Sequence, residues 1–372
     1  MHTLSFTGER QLRYPAPDVA RGFMLALIAL ANVPFWLSYF PETPQAGHAA
    51  LEAMNGTDQW WYLVRTLFVD RRAYPLFSLL FGFGMAIMAS RTMERERRAI
   101  EQNVPAEVVA GWHPVQRQIV EESIERHVRR TASRLIRRRG WWMLAFGLLH
   151  GIVFSGDIIG AYGLVAVIFA EVIVMRRAWA RILAGSLVAV LSMSGLWMGG
   201  AMMGREPMVL EYHGPMPLNA WYPLVSFGSW IVATPATVLT ALVVPCVMIG
   251  VGVARWGLLQ DPRGRGALLS GIAACGLGIG VLGGLPFALM QLDWAFVGSA
   301  AWSYPIFHAS GVAGACGWLA LLALVGGGPR ENLGTVCAFL SAIGRRSMTA
   351  YLSQTVISVS YTHLTLPTIL LV

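Results

Sequence analysis

The chain has 372 residues, 55% of them hydrophobic and 13% charged, with a mean hydropathy of +0.55. Soluble domains carry about 25% charged residues, so a soluble globule and a disordered chain are both excluded. The net charge of +8 rests on 28 basic residues that are all Arg. They cluster between apolar runs, the pattern that orients membrane helices, so the partner is a lipid bilayer and not nucleic acid.

Apolar runs approaching the ~20 residues that cross a bilayer predict an all-α, polytopic transmembrane bundle. In chain order they are Val19–Phe40, Tyr74–Ser90, Trp141–Gly156, Ile158–Met175, Ala178–Met203, Leu224–Ala254, Ala267–Met290 and Pro305–Val325. The third and fourth read as a tight hairpin turning at Asp157. The sixth is long and holds Pro235 and Pro245, so a tilt or kink is expected. A ninth run begins at Ser347, giving eight complete spans plus a truncated ninth.

An N-terminus in the cytoplasm puts 24 Arg on the inner side and leaves four outside: Arg65, Arg71, Arg72 and Arg205. That asymmetry sets the orientation. The stretch Arg91–Arg139, with 12 Arg and seven acidic residues, reads as a basic cytoplasmic helical insertion near the membrane surface. It suits anchoring to anionic headgroups or holding an anionic cofactor. Cys246, Cys275, Cys316 and Cys337 sit singly in apolar runs; neither a disulfide framework nor a metal site is indicated. Gly278-Ile-Gly280-Val-Leu-Gly283 matches a dinucleotide fingerprint but lies inside a span with no preceding strand, so these glycines are read as helix-packing positions.

Polar side chains in a bilayer are costly and mark candidate sites. Asp18 and Arg21 lie three apart on one helix face, and Asn32 shares that face three turns on. His150 sits about 15 Å from the inner boundary by helical rise, at a depth similar to Asn32. Asp157 follows seven residues later, on the same face if the helix continues past Gly156. These residues are candidates either for interhelical hydrogen bonds or for proton transfer. Glu171, His308 and His48 are weaker candidates.

Four motifs occur in order: Asp18-Val-Ala-Arg21-Gly22 leading to Asn32, Pro75-Leu-Phe-Ser-Leu-Leu-Phe-Gly-Phe-Gly84, His150 through Gly156-Asp157-Ile-Ile-Gly-Ala-Tyr162, and Gly344-Arg-Arg-Ser-Met-Thr-Ala-Tyr-Leu-Ser-Gln354. Together they resemble the YeiB-like family of bacterial inner-membrane proteins, a domain-of-unknown-function family, over nearly the whole chain to about Ile357. That family is similar to a wider superfamily of membrane acyltransferases that includes the lysosomal heparan-glucosaminide N-acetyltransferase. The resemblance implies a multi-pass protein of the bacterial inner membrane that takes an acyl group from acyl-CoA, as co-substrate, and delivers it to a small-molecule acceptor on the far side. In the lysosomal relative the catalytic His follows the matching Asn closely; here His48 stands at a longer spacing, so that role does not carry over.

On the residues themselves, His150 suits a general base, Asp157 its orienting partner and Asn32 an oxyanion donor. Arg21 with Asp18 suits the inner, cofactor-binding mouth. The same residues would serve a transporter of a small solute or ion, with His and Asp relaying protons, and a non-catalytic membrane protein is a further reading. Residues 1–358 are expected to form one membrane domain. Residues 359–372, interrupted by Pro367, read as a non-native tail.

Overall fold

The computed structural model describes residues 15–36, 54–104, 111–154, 156–203, 221–259, 262–295, 298–327 and 333–360. Among them the chain is helical throughout. The helices are α1 (Ala16–Trp36), α2 (Gly56–Phe68), α3 (Ala73–Gln102), α4 (Pro114–Val153), α5 (Ile159–Ile168), α6 (Ala170–Val174), α7 (Ala178–Met203), α8 (Tyr222–Thr240), α9 (Val243–Arg255), α10 (Gly266–Gln291), α11 (Ala300–Gly326), α12 (Thr335–Arg345) and α13 (Ser347–Ser360). Helices satisfy their own backbone groups, the condition for crossing hydrocarbon. Several starts carry side-chain caps: Asn55 accepts from the Asp58 amide before α2, Ser299 caps α11, and His113 with Gln116 forms a capping box before α4, where Pro114 takes the first turn.

Five helices are long and apolar enough to cross a membrane: the run Gly56–Gln102, then Ala178–Met203, Tyr222–Thr240, Gly266–Gln291 and Ala300–Gly326. The chain is a multi-pass membrane protein. On α7 the residues Leu183, Leu187, Val190, Leu191 and Trp197 are exposed, an apolar face suited to lipid.

Four expected spans take a different form. The second begins well before Tyr74: α2 and α3 make one interrupted run, broken over Val69–Arg72, where Arg71 is left-handed (φ 58°). The sixth is not a single kinked helix but α8 and α9, divided at Ala241–Leu242 with Leu242 also left-handed (φ 56°). Pro245 falls in the first turn of α9, where its missing N–H costs nothing. The expected third and fourth spans form a short hairpin. From Trp141 to Val153 the rise is about 20 Å and from Ile159 to Val174 about 24 Å, both less than the ~30 Å hydrocarbon core.

α3 is the hub of the bundle, packing on α9, α4, α1, α11 and α6. Leu76, Leu79, Leu80, Val243, Val244 and Val247 are all buried along its seam with α9. Glycines let backbones touch there. A Cβ on Gly82 would lie 2.1 Å from the Val247 carbonyl oxygen, and one on Gly250 would lie 2.0 Å from that of Leu79. The α1–α12 seam is built alike: Gly22 lies against the Leu340 carbonyl, and Gly344 against that of Asp18. α10 packs on α11, with Gly280 against Gly314 and Gly283 against Ser310, so two of the three glycines of the apparent dinucleotide fingerprint are helix-packing positions, while Gly278 faces open space.

The basic segment continues the membrane helices. The end of α3 and the start of α4 are joined by Arg97, which pairs with Glu121, with Glu125 at 3.5 Å and with Glu101 at 3.6 Å. The hydrogen bond to Glu121 raises the Arg97 guanidinium above its ordinary range. A hollow of about 220 Å³ along α4 is lined by Ser123, Arg126, His127, Arg130, Thr131 and Arg134.

Candidate functional site

α4 ends at Val153, and the Phe154 amide closes its last turn on the His150 carbonyl at 2.8 Å. The chain then reverses, and Asp157 becomes the anchor of the next helix. Its Oδ2 accepts from the Gly160 amide at 2.8 Å and from the Trp230 indole N–H of α8 at 3.2 Å. Its Oδ1 lies 2.8 Å from His150 Nδ1. The pair expected from a shared helix face does meet, but by a reversal of the chain and not by continuation of the helix past Gly156.

The His150 and Asp157 side chains are 8% and 0% exposed. Asp157 accepts from two N–H donors already, and where it also accepts from His150 the proton of this bond lies on Nδ1. Nε2 then presents a lone pair, and it is buried without a hydrogen-bond partner. Small residues make room for the group. A Cβ on Gly147 would come within 2.7 Å of Asp157 Oδ2, and one on Gly151 or Gly160 would strike the Trp230 ring. Ser226 donates to the Gly151 carbonyl at 2.6 Å and holds α8 on the hairpin. The Tyr351 ring of α13 stands edge-on to His150 with centroids 5.5 Å apart, and Phe154 stands at 5.6 Å. By helical rise His150 lies about 14 Å beyond Trp141, while Ser226 and Trp230 lie about 6 and 12 Å from the start of α8. The dyad therefore packs against the middle of α8, one of the five helices long and apolar enough to cross a membrane.

Asp18 and Arg21 form the predicted pair, at 3.2 Å, with Asp18 buried and Arg21 half-buried. The Arg21 guanidinium lies against Gly84 of α3. Asn32 is half-buried and has no hydrogen-bond partner among the described residues. It lies on α1, which packs on α12, α11, α3 and α13, whereas α4 packs on α5, α3, α8 and α6; no described hydrogen bond or ring contact joins Asn32 to His150. Glu171 accepts from Ser133 at 2.7 Å and pairs with Arg137 at 3.3 Å, a clamp at the basic end of the hairpin. His48 and the segment 361–372 lie outside the described residues.

The four sequence motifs converge. Gly22 and Asp18 of the first touch Leu340 and Gly344 beside or within the fourth; Arg21 touches Gly84 of the second. Ser78 of the second shares a 3.0 Å hydrogen bond with Tyr162 of the third. His150 of the third meets Tyr351 of the fourth, and Gln354 donates to the Leu25 carbonyl of α1 at 3.1 Å.

Two functional candidates are absent from the sequence reading. Trp230 is one of 14 Trp, and nothing local separates it from those at span edges. Arg72 reads as an outer-loop residue, yet it is 1% exposed. It donates to the carbonyls of Thr66 at 2.9 Å, Asp70 at 2.6 Å and Gly280, and stacks over the Phe307 ring at 5.0 Å. Buried His308 lies close by, its Nδ1 3.0 Å from the Tyr304 carbonyl. The signal available was the lack of Gly and Pro from Trp60 to Phe68, where a helix runs to within a few residues of Arg71 and Arg72.

Residues 253–367 match the family described as "Protein of unknown function (DUF418)", in keeping with the resemblance to the YeiB-like domain-of-unknown-function family. The matched stretch runs from the end of α9 through α13 and holds Gly280, His308, Tyr351 and Gln354; His150 and Asp157 lie before it. No curated protein and no solved structure matches the chain.

Proposed function

We propose that the protein is an acyltransferase-like enzyme of the bacterial inner membrane, with its N-terminus in the cytoplasm and His150 as general base. The observation that supports this reading is the buried dyad: Asp157 holds Nδ1 and leaves Nε2 unpartnered and able to accept a proton. The acceptor reaches Nε2 from the outer side and gives up its O–H or N–H proton as its heteroatom attacks the thioester carbonyl of acyl-CoA. The new C–O or C–N bond forms and the C–S bond breaks. The proton held on His150 then passes to the departing thiolate. Asn32, whose amide has no partner among the described residues, donates to the oxyanion. Arg21, steadied by Asp18, sits at the cytoplasmic mouth toward the donor phosphates.

A transporter reading draws on a separate observation. Both α2–α3 and α8–α9 are interrupted helices, the form that lines substrate sites in many secondary transporters.

Membranes carrying the full chain, given labelled acetyl-CoA, test the enzyme reading. Label should pass to membrane material, and His150→Gln should lower the rate by at least about 10²-fold at normal expression. Full activity in both His150→Ala and His150→Gln would end the general-base proposal. Solute-driven proton uptake into liposomes that His150→Gln abolishes, without acyl transfer, would favour the transporter.

A further inference from the structure

The break between α2 and α3 holds more positive charge than the described residues neutralise. Over eight residues it carries Arg65, Arg71 and Arg72 against the single carboxylate of Asp70. Asp70 is bound to Arg65 at 3.1 Å. Arg72 is sealed in the bundle, and all its acceptors are neutral carbonyls. Its Nε is buried without a partner. Arg71 is half-buried, left-handed at φ 58°, and has no hydrogen-bond or ion-pair partner among the described residues. The cluster is deep: Gly280, which Arg72 touches, lies about 21 Å from the start of α10 and about 16 Å from its far end.

Unpaired charge at such depth is rare and marks a function. Other groups here also await a partner. The Tyr74 hydroxyl, in the first turn of α3 and three residues on from Arg71, is buried and unbonded. The N-terminus of α3, positive by its dipole, begins at the same place. The backbone there is fixed: a Cβ on Gly311 of α11 would come 2.1 Å from the Arg71 carbonyl oxygen, and one on Gly284 or Gly314 would come 2.6 or 3.1 Å from the Arg72 side chain. Arg72 is thus the bolt that holds the break, and Arg71 is the cation left over.

We infer that the α2–α3 break is a binding site for an oxyanionic group, a carboxylate or a phosphate, held by Arg71 and the Tyr74 hydroxyl at the N-terminus of α3. The group belongs either to a soluble ligand or to a lipid headgroup, since both present the same oxygens. Arg71 forms the charge-assisted hydrogen bond, Tyr74 donates a second, and Arg72 supplies field without moving. This inference does not rest on the general-base reading, because it concerns other residues and a binding equilibrium.

The test uses the full chain in nanodiscs and reads thermal unfolding. One arm, in phosphatidylcholine, titrates inorganic phosphate, sulfate and acetate against chloride at fixed ionic strength. The other replaces part of the lipid with phosphatidylglycerol and adds no oxyanion. Saturable stabilisation is expected in at least one arm, and which arm responds identifies the source. Arg71→Gln should weaken the apparent affinity about tenfold or more, and Tyr74→Phe by about three- to fivefold. Arg71→Gly, which suits the left-handed backbone and removes only the side chain, guards against misfolding of the Gln variant. Arg98→Gln in the basic segment should leave the response to the soluble oxyanions in phosphatidylcholine unchanged. No stabilisation in either arm, or the same response in Arg71→Gly, would overturn the inference.

Discussion

Asp157→Asn separates the orienting role of the carboxylate from its structural role. Three donors converge on Asp157: the Gly160 amide and the Trp230 indole on Oδ2, and His150 Nδ1 on Oδ1. An Asn has one acceptor oxygen and one NH2. Two donors claim the Oδ2 position, so the amide oxygen goes there and the NH2 faces His150 Nδ1. Two N–H groups cannot face each other, and the imidazole proton moves to Nε2. The two fold-holding bonds survive, and the stability loss should stay near 1 kcal/mol. Asp157→Ala strips all three, and at ~0.6–1.7 kcal/mol per intramembrane hydrogen bond it should cost about 2–5 kcal/mol. With Nε2 protonated the base is lost, an effect worth on the order of 10⁴ in turnover where a His base is so disabled. Nitrogen-15 NMR of histidine-labelled protein reads the tautomer directly, with His150 assigned by its absence in His150→Gln. A His150 that keeps its proton on Nδ1 in Asp157→Asn would refute the reasoning, whatever the activity.

Other outcomes follow from packing and charge. Gly344→Ala puts a Cβ 1.8 Å from the Asp18 carbonyl oxygen, so α1 and α12 must part; thermal unfolding should show a loss of about 1–3 kcal/mol. Gly278→Ala, with nothing within 4 Å, should leave stability unchanged or raise it by up to about 1 kcal/mol. With the four native cysteines replaced, a single cysteine at position 98 should resist a membrane-impermeant maleimide in intact cells and react once they are opened. Labelling in intact cells would invert the orientation drawn from the arginines.

Hydropathy made the bundle legible because burial in lipid is written in composition: α7, α10 and α11 fall within a few residues of the runs that foretell them. It misjudged places where the backbone changes direction inside the slab. Nothing in Leu67-Phe68-Val69-Asp70-Arg71-Arg72 announces a left-handed turn, and three arginines in a window lower its mean enough to hide a helix. The His150–Asp157 pair was visible because both residues are polar in an apolar run, but its geometry was not. Periodicity assumes one helix, and the carboxylate reaches the imidazole only because α4 stops at Val153. Trp230 and Tyr351 close the site from distant elements, and such proximity is a product of tertiary packing that no local pattern encodes. Similar depth along α1 and α4 says nothing about the lateral distance between Asn32 and His150, because helical rise fixes only one coordinate.

The length of α4 bears on how the protein can be taken apart. Its 40 residues from Pro114 to Val153 are unbroken, about 60 Å of continuous rod, with Arg126 and Arg130 in its first half, Arg134 at its middle and His150 near its far end. The basic segment is therefore not a cassette joined to the bundle by a linker, and no excision point separates the two. Truncating or grafting it cuts or rotates the helix that aims the imidazole: each residue deleted before His150 turns the ring by about 100° and draws it about 1.5 Å along the axis. Whatever modular history the two regions had, they now share one structural part.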